Sequence, residues 1–581
     1  MPDLTNSQIA AALDELGDLY ELDGAIIHRV VAYRTAAKAV RESSTSVAAL
    51  ALAGRATSLP GIGKTLQDKI VTLLETGDTP SAQKLRAKFP AGLIEMTRSV
   101  PGLGPKRARI LYDELGIDSI DALRQAAATQ SIRGVRGFGA KAEENILASL
   151  QAFDAGDVPG LRLLLPKALD AADRIVDALR AHPASERVEL AGSARRLADS
   201  VKDLDVIATA HEPVQLAQAL SELDIIESTG RATEAGTRGR THTALPVDLK
   251  IVAPDQFGNL LQHFTGSKQH NMAMREAAVR RGLHVSEYGI LDDASGETWR
   301  CPTEDEVYER LGYQWIPPEL REGRGELEAA ASSDLPELVT DQDLRGELHA
   351  HTTASDGTAT LEEMAFAARE RGFEYLAITD HSATHGFGNE VSPNQLRAQI
   401  DKVHALNDRL DGIELLAGSE VNILPDGAPD YDDELLAQLD WVIGSVHTSF
   451  RMGEKAMTER IVAAIEHPLI DAIGHPTGRK IESRAPYAVD MERVIEAAAR
   501  TGTMIEINAS PNRRDLDDVH ARAAAQAGVL ILVNTDAHSI DEFGVRRWGI
   551  ATARRAWLTR EQVANTRSWP ELAALRKRAL V

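Results

Sequence analysis

The sequence predicts a multidomain protein with an α-helical N-terminal region, an α+β middle portion and a C-terminal α/β barrel. Three observations lead there. A chain of 581 residues exceeds what one hydrophobic core supports and suggests three or four domains. Residues 1–155 carry Ala and Leu at helical spacing, whereas 186–210 and 245–253 look like strands. Beyond residue 343, apolar runs stop at residues able to bind metal: FEYLAITDH, IELLAGSE, LDWVIGSVH, LIDAIGH and VLILVNTDAH. Parallel strands of a barrel deliver side chains to one rim in this way.

Composition narrows the setting. An apolar share of 43% is ample for globular cores. The single cysteine, Cys301, excludes a disulfide framework and a cysteine zinc site, so a reducing cytoplasm is the expected location. Polar residues interrupt the first thirty positions and no run of 18 apolar residues occurs, so neither an export signal nor a membrane span is expected. A net charge of −23 argues against broad attraction to nucleic acid. Any such binding must use local basic surface, backbone amides and bound cations.

In the helical region one short element occurs three times: LPGIGKTLQDKI from Leu59, VPGLGPKRARIL from Val100 and VRGFGAKAEENIL from Val135. Each sets two glycines two apart before a helix, with a lysine shortly after. Free amides at the helix start can hold a phosphate oxygen, assisted by the helix dipole. The element resembles the helix-hairpin-helix, which grips DNA backbone without reading sequence. The resemblance makes Gly61, Gly63, Gly102 and Gly104 DNA-binding; the third copy is left as a binding element or a packing turn.

In the middle portion, Asp203 and Asp205 stand i, i+2 inside an apolar run, and Asp248 sits within LPVDLKIV. Carboxylates gathered on one strand face repel each other unless cations sit between them. Magnesium favours such oxygen ligands together with substrate phosphates. Gly192, Ser193 and Arg196 precede this DxD, and the set resembles the nucleotidyltransferase palm of X-family DNA polymerases. The resemblance implies that Gly192, Ser193 and Arg196 hold the β and γ phosphates of a dNTP. It also implies that the three catalytic aspartates bind two Mg2+ (or Mn2+) ions, one activating the primer 3′-hydroxyl and one steadying pyrophosphate.

HFTGSKQHNMAMR, residues 263–275, resembles the nucleotide-binding thumb of the same family. It implies that Phe264 and Gly266 line the sugar pocket, Asn271 reaches the base edge and Arg275 contacts template. His263 stands where a tyrosine is usual, Leu197 where a glycine is, and Lys202 replaces the glycine before the first aspartate. AYRTAAKAV from Ala32 resembles the family's lyase domain and places Lys69 at the Schiff-base position; a solvated helix lysine is the competing reading.

Residues 316–344 hold eight acidic side chains against two arginines and read as a tether. After it come His349, His351, Asp356, His381, Glu420, His447, His475, Asp536 and His538. The pairs 349/351 and 536/538 each leave one strand face. Imidazoles and carboxylates without thiolates point to zinc- or manganese-like ions, and nine ligands exceed one ion's needs. Two or three ions would clamp a phosphate and activate a water. The ligand order resembles the polymerase and histidinol phosphatase (PHP) family, which implies a distorted α/β barrel hydrolysing phosphoesters with two or three Zn2+/Mn2+-type ions.

The whole chain is thus similar to bacterial-type X-family DNA polymerases with a C-terminal PHP domain. The expected domains are a lyase-like helix-hairpin-helix domain (1–85), a fingers-type helix-hairpin-helix subdomain (86–155), a palm (156–253), a thumb (254–317), an acidic linker (318–342) and a PHP domain (343–581). The expected activity is gap filling in repair, with 3′-to-5′ exonuclease, 3′-end processing or abasic-site cleavage by the barrel. Gapped or nicked duplex DNA and dNTPs are the expected partners of a monomer. Two other readings stand beside it: a phosphoesterase whose palm binds DNA without synthesis, and a DNA-binding scaffold with vestigial metal sites.

Overall fold

The computed structural model describes residues 4–100, 103–154, 162–386 and 388–579. The chain divides into two compact units. The first contains residues 1–163, 169–190 and 202–253, and the second residues 164–168, 191–201 and 254–581.

The first unit begins with a bundle of short helices around a core that includes Ile9, Leu13, Val40, Ile70, Leu93, Leu111 and Phe138. The first and third glycine elements are fully described, and the second from Leu103 onward. Gly61 has φ 78, and a β-carbon there would come within 2.6 Å of Thr35 Cγ2, so only glycine fits. Gly63 and Gly104 then cap the helices Lys64–Thr76 and Pro105–Leu115 without a side-chain cap, leaving exposed starts. Gly102, expected to bind DNA, lies outside the described residues.

The remainder of this unit holds helices and a five-stranded sheet of β1 (Ser185–Leu190), β2 (Leu204–Ala210), β3 (Ile226–Thr229), β4 (Gly236–Thr241) and β5 (Pro246–Ile251). Its order is β1-β2-β5-β4-β3, and the central pair β2–β5 is parallel.

The second unit carries a helical pair, Phe257–Thr265 and Lys268–Val279, followed by a small antiparallel sheet of β6 (Leu283–Ser286), β7 (Gly289–Asp292) and β8 (Thr298–Trp299). The segment expected to be an acidic tether is instead packed structure. It holds the helix Glu326–Ser332 and buries Ile316, Leu320, Arg321, Leu327 and Val339. Its acids meet distant arginines: Glu319 pairs with Arg554, Glu322 with Arg196 and Arg555, and Asp341 with Arg546. The expected linker 318–342 is corrected accordingly.

The barrel has seven parallel strands: β9 (Gly346–Glu347), β10 (Tyr375–Ile378), β11 (Glu414–Asn422), β12 (Trp441–Ser445), β13 (Ala472–Ile473), β14 (Met504–Asn508) and β15 (Ile531–Asn534). They follow one another in chain order, and a parallel bridge between Ala350 and Ala537 links the last strand's end to the first. Alternate strand residues separate into two cores. Leu376, Leu415, Val442, Ile505 and Val533 join one, while Tyr375, Leu416, Trp441, Met504 and Leu532 pack with Trp569 and Leu572 in the other.

Candidate metal centre and polymerase site

All nine barrel residues singled out from the sequence converge at the C-terminal ends of the strands, because each parallel strand ends on the same rim. His349 and His351 follow β9, Asp356 lies in the next loop, and His381 follows β10. Glu420 lies within β11, His447 follows β12, His475 follows β13, and Asp536 and His538 follow β15. Atoms able to bind a metal form three overlapping groups within 4.8 Å: His351, Asp356, His381 and His538; His349, His351 and Asp536; and His381, Glu420 and His447. The ninth, His475, reaches Glu420 Oε1 at 2.9 Å.

The donor set fits divalent cations. His349 Nε2 and His351 Nδ1 are buried and make no hydrogen bond, although His349 Nε2 faces Glu420 and Asp536 oxygens at 3.3 and 3.4 Å. Buried polar atoms aimed at one another without hydrogen bonds are what a shared ion would join. Donors about 2.0–2.2 Å from one ion stand about 3–3.5 Å apart, close to these separations. His475 and Asp536 hold left-handed backbone at φ 27 and 55, strain that accompanies placement of functional side chains.

Electrostatics divides the candidate ligands. Burial, reinforced by His381 and His538, lowers His351 to about 4. Burial and Arg513 likewise lower His475 to about 4, so both are neutral near pH 7 and available as ligands. For His381, burial opposes charge but Glu420 and Asp356 outweigh it, pushing the pKa up to about 10. His538 rises to about 9 as Asp356 and Asp536 likewise outweigh burial.

Several surrounding residues were missed from sequence. Glu506, buried on β14, accepts from His349 Nδ1 at 2.7 Å and from the His475 backbone amide at 2.8 Å. Asp380 accepts from Thr352, Ser355 and Gln399, bracing the loop that bears Asp356. Lys480, Arg484 and Arg513 line a cavity of about 660 Å³ beside the cluster. Glu506 had a signal, a lone carboxylate inside the apolar run MIEIN.

In the first unit, Asp205 on β2 stands in register with Asp248 on β5, and Asp203 immediately precedes β2. Among the described residues these carboxylates do not form a group within 4.8 Å. Asp248 instead meets Lys250 at 3.1 Å and Arg238 at 3.4 Å, and these cations offset its charge.

In the second unit, Gly192 (φ 67) starts the short helix Gly192–Arg195, on which Ser193 is partly buried. Arg196 donates to Glu322 Oε1 at 2.9 Å and to Thr265 O at 3.0 Å. Phe264 packs edge-on against His263. Asn271 donates to the His263 carbonyl at 2.7 Å, and a β-carbon on Gly266 would meet Asn271 Oδ1 at 2.5 Å. Arg275 lies 3.2 Å from His263 Nδ1. Lys69, in the first unit, donates to Ser81 Oγ at 2.9 Å.

Comparison with known proteins agrees with this architecture. A helix-hairpin-helix domain family matches residues 4–79, and a SAM-like helix-hairpin-helix tandem matches residues 94–152. The DNA polymerase beta thumb matches residues 260–322, and the PHP domain residues 347–510. These define a bacterial-type X-family polymerase architecture with a C-terminal PHP domain. Over 572 residues the chain is 37% identical to the DNA polymerase/3′-5′ exonuclease PolX of Bacillus subtilis (strain 168), covering 98% of this chain and 99% of that protein. The chain belongs to the PolX family. Its barrel region is also 32% identical over 229 residues to a probable phosphatase of Thermoanaerobacter sp. (strain X514), covering 38% of this chain and 89% of that protein. No helix among the described residues is long and apolar enough to cross a membrane.

Proposed function

We propose that the protein is a DNA polymerase that fills short gaps during repair and whose PHP barrel removes nucleotides from 3′ ends. The observation that carries this is the convergence of nine imidazole and carboxylate ligands on one barrel rim, in a chain that matches a PolX protein over nearly its whole length. Zn2+ or Mn2+ ions suit the mixed barrel ligands, and Mg2+ or Mn2+ suits Asp203, Asp205 and Asp248. Bound ions supply charge neutralisation at the phosphate and acidify the attacking hydroxyl or water.

The chain's residues do the rest. Glu506 and Asp380 fix the ligands' orientation from behind. Lys480, Arg484 and Arg513 present positive charge to a phosphate in the cavity, and Arg513 Nη1 is buried without a hydrogen bond. At the polymerase site Gly192, Ser193 and Arg196 receive the triphosphate, while Phe264, Gly266 and Asn271 contact the nucleotide and Arg275 the template. The helix starts at Gly61, Gly63 and Gly104 bind the DNA backbone irrespective of sequence. Lys69 is the candidate lyase nucleophile, and the protein acts as a cytoplasmic monomer.

The match to a probable phosphatase favours a second use of the barrel, removal of a 3′-phosphate that blocks extension. Product analysis on a gapped duplex separates these activities. With dNTPs the primer lengthens to fill the gap; without them it shortens from its 3′ end. A 3′-phosphorylated primer that is extended only after phosphate release supports the second use. A primer whose length changes under neither condition contradicts the reading.

A further inference from the structure

The turn after the Gly192–Arg195 helix adopts a conformation its sequence disfavours. Leu197 has φ 56, where the side chain of a residue other than glycine crowds the backbone. Three arginines of the PHP barrel hold this turn. Arg514, fully buried, directs both terminal nitrogens to the Leu197 carbonyl at 3.1 Å and lies 3.2 Å from Asp199. Its Nε donates to Thr552 at 2.8 Å. Arg479 donates to the other Asp199 oxygen at 2.8 Å. Arg555 donates at 2.8 Å to the Arg196 carbonyl and at 2.8 Å to Glu322 Oε1, the same oxygen that Arg196 Nε engages.

Taking guanidinium groups out of water is costly unless each finds dedicated partners. None of these three arginines lines the barrel cavity or belongs to its ligand groups. Beside partners within the barrel, which are Asp518 for Arg555, Thr552 for Arg514 and the Arg513 and Arg514 carbonyls for Arg479, they engage the backbone and carboxylate of residues 196–199 and Glu322. Residues 191–201 belong to the same compact unit as the barrel.

We propose that Arg514, Arg479 and Arg555 are positioning residues for nucleotidyl transfer: the PHP barrel sets the Arg196 guanidinium and its turn in the geometry that receives the nucleotide triphosphate. This rests on the reading of Arg196 as a phosphate ligand. The sharing of Glu322 fits that role. When a phosphate draws on Arg196, Glu322 keeps its bond to Arg555 and this half-buried carboxylate is not left unpaired. The arginine clamp also accounts for Leu197 at a position where glycine is usual, because external hydrogen bonds supply what glycine's freedom otherwise would.

The test uses the full-length protein and single-nucleotide filling of a gapped duplex, with 3′ trimming measured on the same preparations. Arg514→Gln and, separately, Arg555→Gln are expected to raise the KM for dNTP about tenfold, with trimming within about twofold of wild type. Adding Leu197→Gly to Arg514→Gln is expected to restore most of the loss, since glycine takes the left-handed turn unaided. General support of the fold would not be relieved by that remote change. Unchanged KM in both arginine variants, while Arg196→Ala raises it, overturns the proposal. So does a parallel loss of filling and trimming in both variants without rescue. Unchanged KM in Arg196→Ala would instead remove the phosphate role of Arg196, and the proposal with it.

Discussion

The Nδ1–H of His349 donates to Oε1 of Glu506 at 2.7 Å, which turns Nε2 of the same ring toward Glu420 and Asp536. A carboxylate can only accept, so Glu506 fixes both the tautomer and the ring plane of His349. Glu506→Ala is expected to lower metal content and 3′ trimming about 10–100-fold while gap filling persists. Elemental analysis of the purified variant, with both assays, checks this; full metal occupancy would contradict it.

Metal loading is expected to depend on pH with a definite sign. His381 and His538, at about 10 and about 9, carry protons at neutral pH that a cation must displace. Affinity therefore rises as pH rises toward 9 to 10, and binding near pH 7 releases protons. Calorimetry in two buffers of different ionisation enthalpy measures the release. A buffer-independent heat would contradict it.

A buried ion network holds the thumb to the nucleotide loop. Glu304 accepts from Arg195 at 2.7 Å and contacts fully buried Arg321 at 2.5 Å. Burial alone would raise its pKa, but Arg321 and Arg195 outweigh it and hold the carboxyl at about 2. Its stabilisation is complete above the unfolded value of about 4.5 and is lost as pH falls toward about 2. Glu304→Gln should cost about 3–5 kcal/mol near neutral pH by leaving the arginines unpaired. Thermal melts of both proteins should converge as the solution is acidified; a gap that widens would be the opposite sign.

The hairpin at Gly61 is tested by Gly61→Val, whose β-carbon would collide with Thr35. Binding of gapped duplexes should weaken equally for unrelated sequences, with a shallower salt dependence. A loss confined to one sequence would argue for base reading instead.

Much of this was legible in the chain because buried charge is expensive. An apolar strand ending in His, Asp or Glu needs a reason, and that logic singled out the nine residues that the structure gathers on one barrel rim and the register partners Asp205 and Asp248. Glu506 obeyed the same logic but sits inside a run rather than at its end. The acidic stretch misled because linear charge balance cannot see partners far along the chain. Glu319, Glu322 and Asp341 are matched by arginines at 554, 555 and 546, more than 200 residues away. Arg514 gave no signal, since nothing local distinguishes a buried arginine from an exposed one.

The division of labour between two cation sites is tested most directly on one gapped duplex with Asp205→Ala and His349→Ala proteins. Asp205→Ala should trim 3′ ends yet add no nucleotide, and His349→Ala should fill the gap yet leave ends untrimmed. Extension by Asp205→Ala, or full trimming by His349→Ala, would contradict it.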